Sequence, residues 1–194
     1  MTASSLRDNA VPLYFSPAQL TDFARFFADE VAEGKFPYVD YDRNERWHQR
    51  LYRDRRVDVW LISWLPTQGT QLHDHGGSSG AFTVLSGSLD EAAVSVARGS
   101  ADPGAPGAVE RARLVDRRRH TGEAVSFGPH YVHDVRNLSS TAAVSVHAYS
   151  PPLTTMNFYD LVYQEGVQSL QPLATVATDD PETAAPARGV PLAS

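Results

Sequence analysis

Along residues 16–34 the apolar side chains Leu20, Phe23, Ala24, Phe27 and Val31 fall at the i, i+3, i+4, i+7, i+11 spacing of one helix face, while Asp22, Arg25, Asp29 and Glu33 fall elsewhere. An amphipathic helix packed against another layer is predicted there. Ser16 can cap it, Pro17 suits its first turn, and Gly34 can end it in a left-handed conformation. A second, shorter helix is expected over residues 43–51.

After Asp54 the pattern changes to short runs rich in Val, Ile, Leu, Trp, Thr and Phe, each closed by Gly, Pro, Asp or Asn. These are VDVWLISWL (57–65), GAFTVLSG (80–87), LDEAAVSVA (89–97), ARLVDRR (112–118), EAVSFG (123–128), HYVHDVRN (130–137) and AAVSVHAYS (142–150). Strands at this spacing with few helices between them predict an all-β sandwich or barrel. GSADPGAPGA, at 99–108, reads as a mobile hairpin loop. From Pro172 onward Pro, Ala, Thr and Asp dominate with little to bury, so 172–194 is expected to be a flexible tail. The organisation expected is a helical cap over 1–55, a barrel over 56–171, and that tail.

Composition narrows the function classes. The 194 residues include 17 Lys+Arg, 23 Asp+Glu and no cysteine, for a net charge of -6. Disulfides, thiolate metal sites and cysteine nucleophiles are therefore excluded, and any metal must be held by nitrogen or oxygen. The acidic balance argues against a nucleic-acid partner, and the arginines between Arg111 and Arg119 read as a solvated face. No run approaches the ~18 apolar residues of a membrane helix, and a soluble, cytoplasmic protein is expected. Monomer and small homo-oligomer remain open.

Histidine carries the candidate chemistry. In GTQLHDHGGSSGAFTVLSG, His73 and His75 stand two apart, so on a strand both imidazoles face one point while Asp74 points away. His133, in GPHYVHDVRN, is a third candidate; His130 lies three residues earlier, but the spacing to Asn137 favours His133 and puts His130 at a rim. Neutral imidazole is the commonest protein ligand for divalent transition metals. His48 is either a pocket residue or an exposed helix residue, and His120, beside three arginines, is expected in solvent.

These two segments resemble the two motifs of the cupin superfamily, which implies a double-stranded β-helix, a jelly-roll-like barrel. Where the first cupin motif usually carries a glutamate ligand, this chain has Gly80. The site would then be three neutral imidazoles rather than two histidines and a carboxylate. A narrower resemblance, to the cysteine dioxygenase type I family of thiol dioxygenases, rests on ISW (62–64), HDHGGSSGAFTVLSGSLDE (73–91), HDVRN (133–137) and SVHAYSPPL (145–153). It runs from about Trp47 to Tyr159. The chain is similar to bacterial members, which lack the Cys-Tyr crosslink of the animal enzymes, because glycine stands at position 80.

That resemblance implies Fe(2+) held by His73, His75 and His133, and a hydrogen-bonded chain of Ser145, His147 and Tyr149 ending near the metal. It implies addition of both atoms of O2 to the sulfur of a small thiol, giving a sulfinate, with cysteine the default substrate. The arginine that binds the substrate carboxylate aligns most directly with Gln49, with Arg50 one residue away and Trp47 beside them. A glutamine offers only neutral hydrogen bonds where arginine would clamp a carboxylate. Hence 3-mercaptopropionate, mercaptosuccinate, cysteamine and ergothioneine stand as alternatives. Two other readings compete: a non-enzymatic metal- or ligand-binding cupin, and a cupin isomerase or hydrolase using Zn(II) or Mn(II).

Overall fold

The computed structural model describes residues 14–36, 38–97, 111–164 and 167–181. Its one helix among these, α1 (Pro17–Ala32), starts where the capping signals put it. The Ser16 hydroxyl accepts from the Gln19 N–H, and the Gln19 side chain accepts in turn from the Ser16 N–H, so two otherwise unpaired donors of the first turn are satisfied. Beyond its end, Gly34 sits at φ +76°, a conformation open to glycine at little cost. Leu20, Ala24, Phe27 and Ala28 form its buried stripe. Among the described residues no helix is long and apolar enough to cross a membrane.

The strands are β1 (His48–Arg53), β2 (Asp58–Trp64), β3 (His73–Asp74), β4 (Ser79–Ser86), β5 (Ser88–Ala97), β6 (Arg111–His120), β7 (Ala124–Phe127), β8 (His133–Arg136), β9 (Ala143–Ser150), β10 (Thr155–Gln164) and β11 (Val167–Ala177). They form two antiparallel sheets, ordered β1-β2-β9-β4-β7 and β11-β10-β3-β8-β5-β6. Strands distant in sequence are neighbours in each sheet, which is the double-stranded β-helix of the cupins. The fold is all-β with an N-terminal helical cap.

The five-stranded sheet is covered on both faces, which is why every residue of β2 and β9 is buried. Val57, Val59, Leu61, Val144, Val146 and Ala148 pack outward against α1, where fully burying a side chain such as Leu20 is worth roughly 1.5–3 kcal/mol. The alternate residues Trp60, Ile62, Trp64 and Tyr149 face inward with Phe82, Leu89, Phe127 and Val135. The period of two thus divides one strand between a structural outer core and an inner wall.

Three sequence expectations are corrected. Residues 48–53 form β1 rather than part of a second helix, because pairing with β2 from His48↔Ile62 to Arg53↔Asp58 satisfies their backbone and overrides local helix propensity. The boundary at 55 therefore cuts off a strand of the sheet. The tail does not begin at 172: Pro172 lies inside β11, opposite Tyr159 and beside a register shift, on an edge strand where a residue without an N–H is tolerated. Residues 178–181 then reach back to β1, and the loop at 99–108 and residues 182–194 lie outside the described residues.

Candidate metal centre

The short strand β3 lies between β10 and β8, with His73 opposite Phe158 on one side and His133 on the other. This register brings residues far apart in the sequence side by side. His73, His75 and His133 are all buried, and their candidate ligand nitrogens lie within 4.8 Å of one another. Among the described residues this is the one such group. Asp74 points away, as alternation requires, and accepts hydrogen bonds from the Tyr159 hydroxyl at 2.6 Å and the Asn157 amide at 2.8 Å. Those bonds pin β3 to β10.

The donor set fits a transition-metal ion. A ligand histidine must be neutral, and burial, followed by repulsion from His133, pushes His73 down to about 3; burial, then His73, holds His75 well below its usual range. The Nδ1 of His73 lies 2.8 Å from the Gln71 carbonyl, so it carries the proton and leaves Nε2 as the ligand atom. His133 Nδ1 lies 3.1 Å from Glu91 Oε1. Such a partner behind a ring is the usual companion of a metal-binding histidine.

Sequence reasoning misses Glu91, although alternation with Leu89 puts a carboxylate at an inward position where an apolar residue is the rule. It is 1% exposed and also receives the Tyr131 hydroxyl at 3.1 Å and two Arg119 N–H groups at 3.0 and 2.7 Å. Burial alone would raise its carboxyl, yet the bonds and charges of His133 and Arg119 outweigh it and hold the group below the ordinary range. The arginine-rich strand is thus only partly a solvated face: Arg119 reaches inward, while Arg117, Arg118 and His120 are exposed.

A second chain of hydrogen bonds lines the inner wall. Trp64 Nε1 lies 2.8 Å from Ser145 Oγ, which is 2.8 Å from His147 Nε2, and His147 Nδ1 is 3.2 Å from the Tyr149 hydroxyl. Burial, then repulsion from His133, pushes His147 down to about 3, so its ring is neutral. The Tyr149 ring centroid lies 4.7 Å from that of His75. Gly80 is opposite both Tyr149 and Phe127, and a Cβ there would come within 2.4 Å of the Phe127 ring. Phe127 instead stacks on His75 at 5.1 Å. The space of a cupin glutamate, or of a crosslinking cysteine, is therefore filled by Phe127, a role with no local signal in the sequence.

The β1 register separates the three proposed substrate residues. Gln49 pairs with Leu61 of the outward core, and Trp47 packs against that same core, so both lie on the α1 side of the sheet. Arg50 pairs with inward-facing Trp60, and its guanidinium lies over that indole at 4.3 Å. Of the three, only Arg50 lies on the Trp60 side of the sheet, where it is exposed to solvent. His48 lies on the same side of β1, half-buried with its ring 5.6 Å from that of Trp60, and is not an exposed helix residue. His130 is exposed. Asp179 accepts from Arg50 at 2.8 Å and from Arg53 at 2.7 Å, and Asp180 lies 3.3 Å from His48 Nε2.

In β2, Asp58 is opposite Tyr149 with no exposure, and its Oδ1 has no hydrogen-bond partner. Burial pushes its carboxyl up to about 6, above the ~3.9 of an unfolded chain. The fold therefore favours the protonated form: this contribution is complete below about pH 4 and is lost as pH rises through about 6. Accordingly, the stability of Asp58→Asn relative to the parent should be about 2 kcal/mol more favourable at pH 8 than at pH 4. Urea midpoints at the two pH values measure this, and an equal difference at both would refute it.

Solved structures similar to this chain include TT1209 from Thermus thermophilus, at 21% identity over 58% of this chain and 90% of that one, with a TM-score of 0.43. A double-stranded β-helix protein from Klebsiella pneumoniae matches at 19% identity over 64% and 86%, and KdgF from Halomonas sp. at 14% over 61% and 88%, each with a TM-score of 0.43. The family model described as cysteine dioxygenase type I matches residues 24–162. That span runs from within α1 into β10 and takes in the three clustered histidines and the whole Trp64–Tyr149 hydrogen-bond chain, so this chain belongs to the cysteine dioxygenase type I family.

Proposed function

We propose that the protein is an Fe(II)-dependent dioxygenase of a small carboxylated thiol, with cysteine the first substrate to test. The observation that carries this reading is the Trp64–Ser145–His147–Tyr149 chain, which ends on a tyrosine beside a buried three-histidine cluster. A pure binding module has no need of it. His73, His75 and His133 would hold the iron, which supplies the redox centre for the reaction of thiolate with O2. Both oxygen atoms go to sulfur, which loses the four electrons that O2 gains, so no external reductant is needed. With three neutral protein ligands the metal keeps its full positive charge, which favours an anionic thiolate. Because the chain has no cysteine, the only sulfur of that kind is the substrate's.

The residues have distinct tasks. An indole N–H can only donate, so Trp64 gives its hydrogen to Ser145 Oγ. The serine hydroxyl then donates to His147 Nε2, and His147 Nδ1–H donates to the tyrosine oxygen. This direction makes the Tyr149 hydroxyl the last donor of the chain, able to orient and protonate a developing oxyanion at the cluster. Arg50 offers the charged fork suited to a carboxylate, a reading supported by its donation of a hydrogen bond to the Asp179 carboxylate of this chain at 2.8 Å. The same contact favours cysteine, 3-mercaptopropionate or mercaptosuccinate over cysteamine, which has no carboxylate.

Oxygen uptake by Fe(II)-loaded protein across cysteine, 3-mercaptopropionate, mercaptosuccinate, cysteamine and ergothioneine, with the sulfinate identified by mass, tests the reading. No uptake with any of them would overturn it. Tyr149→Phe should retain iron and turn over at least ~100-fold more slowly, the usual contribution of a positioned proton donor. Undiminished turnover would remove the tyrosine from the reaction.

A further inference from the structure

We propose that Glu91 is the anionic partner of the three-histidine cluster, acting through His133 as a positioning residue. The inference rests on the metal-centre reading and extends it to a residue outside the ligand set. A carboxylate cannot stand where cupins usually place one, because position 80 is glycine and the Phe127 ring fills the adjoining space. The negative charge is instead one hydrogen bond behind a ligand. Glu91 Oε1 lies 3.1 Å from His133 Nδ1, with both side chains within 3% of full burial.

The surrounding donors make this contact specific. Glu91 Oε1 also accepts from the Tyr131 hydroxyl, and Oε2 takes both Arg119 N–H groups, so the carboxylate is held from two sides. The Tyr131 ring is 5.2 Å from His133 and stacks on Phe127 at 5.1 Å, and Phe127 stacks on His75. His133 is thereby fixed with Nδ1 as the donor toward Glu91 and Nε2 as the nitrogen turned to the cluster. A carboxylate accepting that proton draws positive charge off the ring and strengthens Nε2 as a donor to a cation. Arg119 compensates the buried charge.

Co(II) titration of the metal-free full chain, followed by its visible absorption, tests the role. Glu91→Gln keeps the shape and an oxygen acceptor but loses the charge, and should bind Co(II) about 10–100-fold more weakly. A merely structural role would lower the melting temperature of the metal-free protein and leave the Co(II) affinity of the folded fraction unchanged. An affinity within twofold of the parent therefore overturns the proposal. If Glu91→Gln does not fold, 15N NMR of the unsubstituted metal-free protein decides: protonation of His133 at Nδ1 supports it, and protonation at Nε2 overturns it. Failure of the unsubstituted protein to bind Co(II) at all would instead overturn the metal-centre reading, and this inference with it.

Discussion

Replacing His133 by Ala is expected to abolish tight metal binding at the barrel centre. Loss of even an outer partner of a metal ligand typically costs 10–100-fold in affinity, and loss of one of three ligands should exceed that. Only His73 and His75 would remain, and two neutral nitrogens with no carboxylate hold a divalent ion weakly. The variant should still fold, because Glu91 keeps its bonds from Arg119 and Tyr131. Oxygen uptake should fall to background with every thiol. His130→Ala is the matched control: it is exposed, and both metal content and uptake should be unchanged. Metal analysis after dialysis measures the outcome. A His133→Ala protein that retains stoichiometric iron would show that another residue completes the site.

The second large effect is expected at Arg50. Hydrogen bonds to charged groups are worth about 1.5–3 kcal/mol, so Arg50→Gln should lower kcat/KM for cysteine by roughly 10–150-fold. Most of the change should appear in KM if the guanidinium binds the carboxylate equally in ground and transition states. With cysteamine, which has no carboxylate, the same substitution should have little effect. Gln49→Ala should leave both thiols within about threefold, since Gln49 lies on the α1 side of β1. Steady-state oxygen uptake with the two thiols provides all four numbers. A larger effect at Gln49 than at Arg50 would overturn the register argument.

The two positions show why a motif alignment stops short of a site. Residues 47–53 contain the apolar positions Trp47 and Leu51, but also several charged groups, and local pattern alone is compatible with a short helix. The decisive fact is which strand lies beside them. Pairing with β2 puts His48 and Arg50 on the Trp60 side and Gln49 on the α1 side, and a slip of one residue would exchange them. The composition from Pro172 onward misleads in a similar way: it reads as a tail with little to bury, yet Pro172 lies on the edge strand β11, where a residue without an N–H is tolerated.

The linear chain was enough to place the helix with its caps, the strand-rich barrel, the His73 and His75 pair, His133 as their third candidate, and the alternating Ser145, His147 and Tyr149. The helix, the strands and the His73 and His75 pair are carried by periodicity or by short-range chemistry, which a sequence displays directly, whereas the roles of His133, Ser145, His147 and Tyr149 come from the resemblance to the cysteine dioxygenase type I family. Three further relations needed the folded sheets: Arg50 shares the Trp60 side of β1, Phe127 fills the space beside Gly80, and Glu91 and Arg119 support His133. They join residues brought together by strand pairing across long separations. Register depends on the packing of two whole sheets, and no local run of residues encodes it.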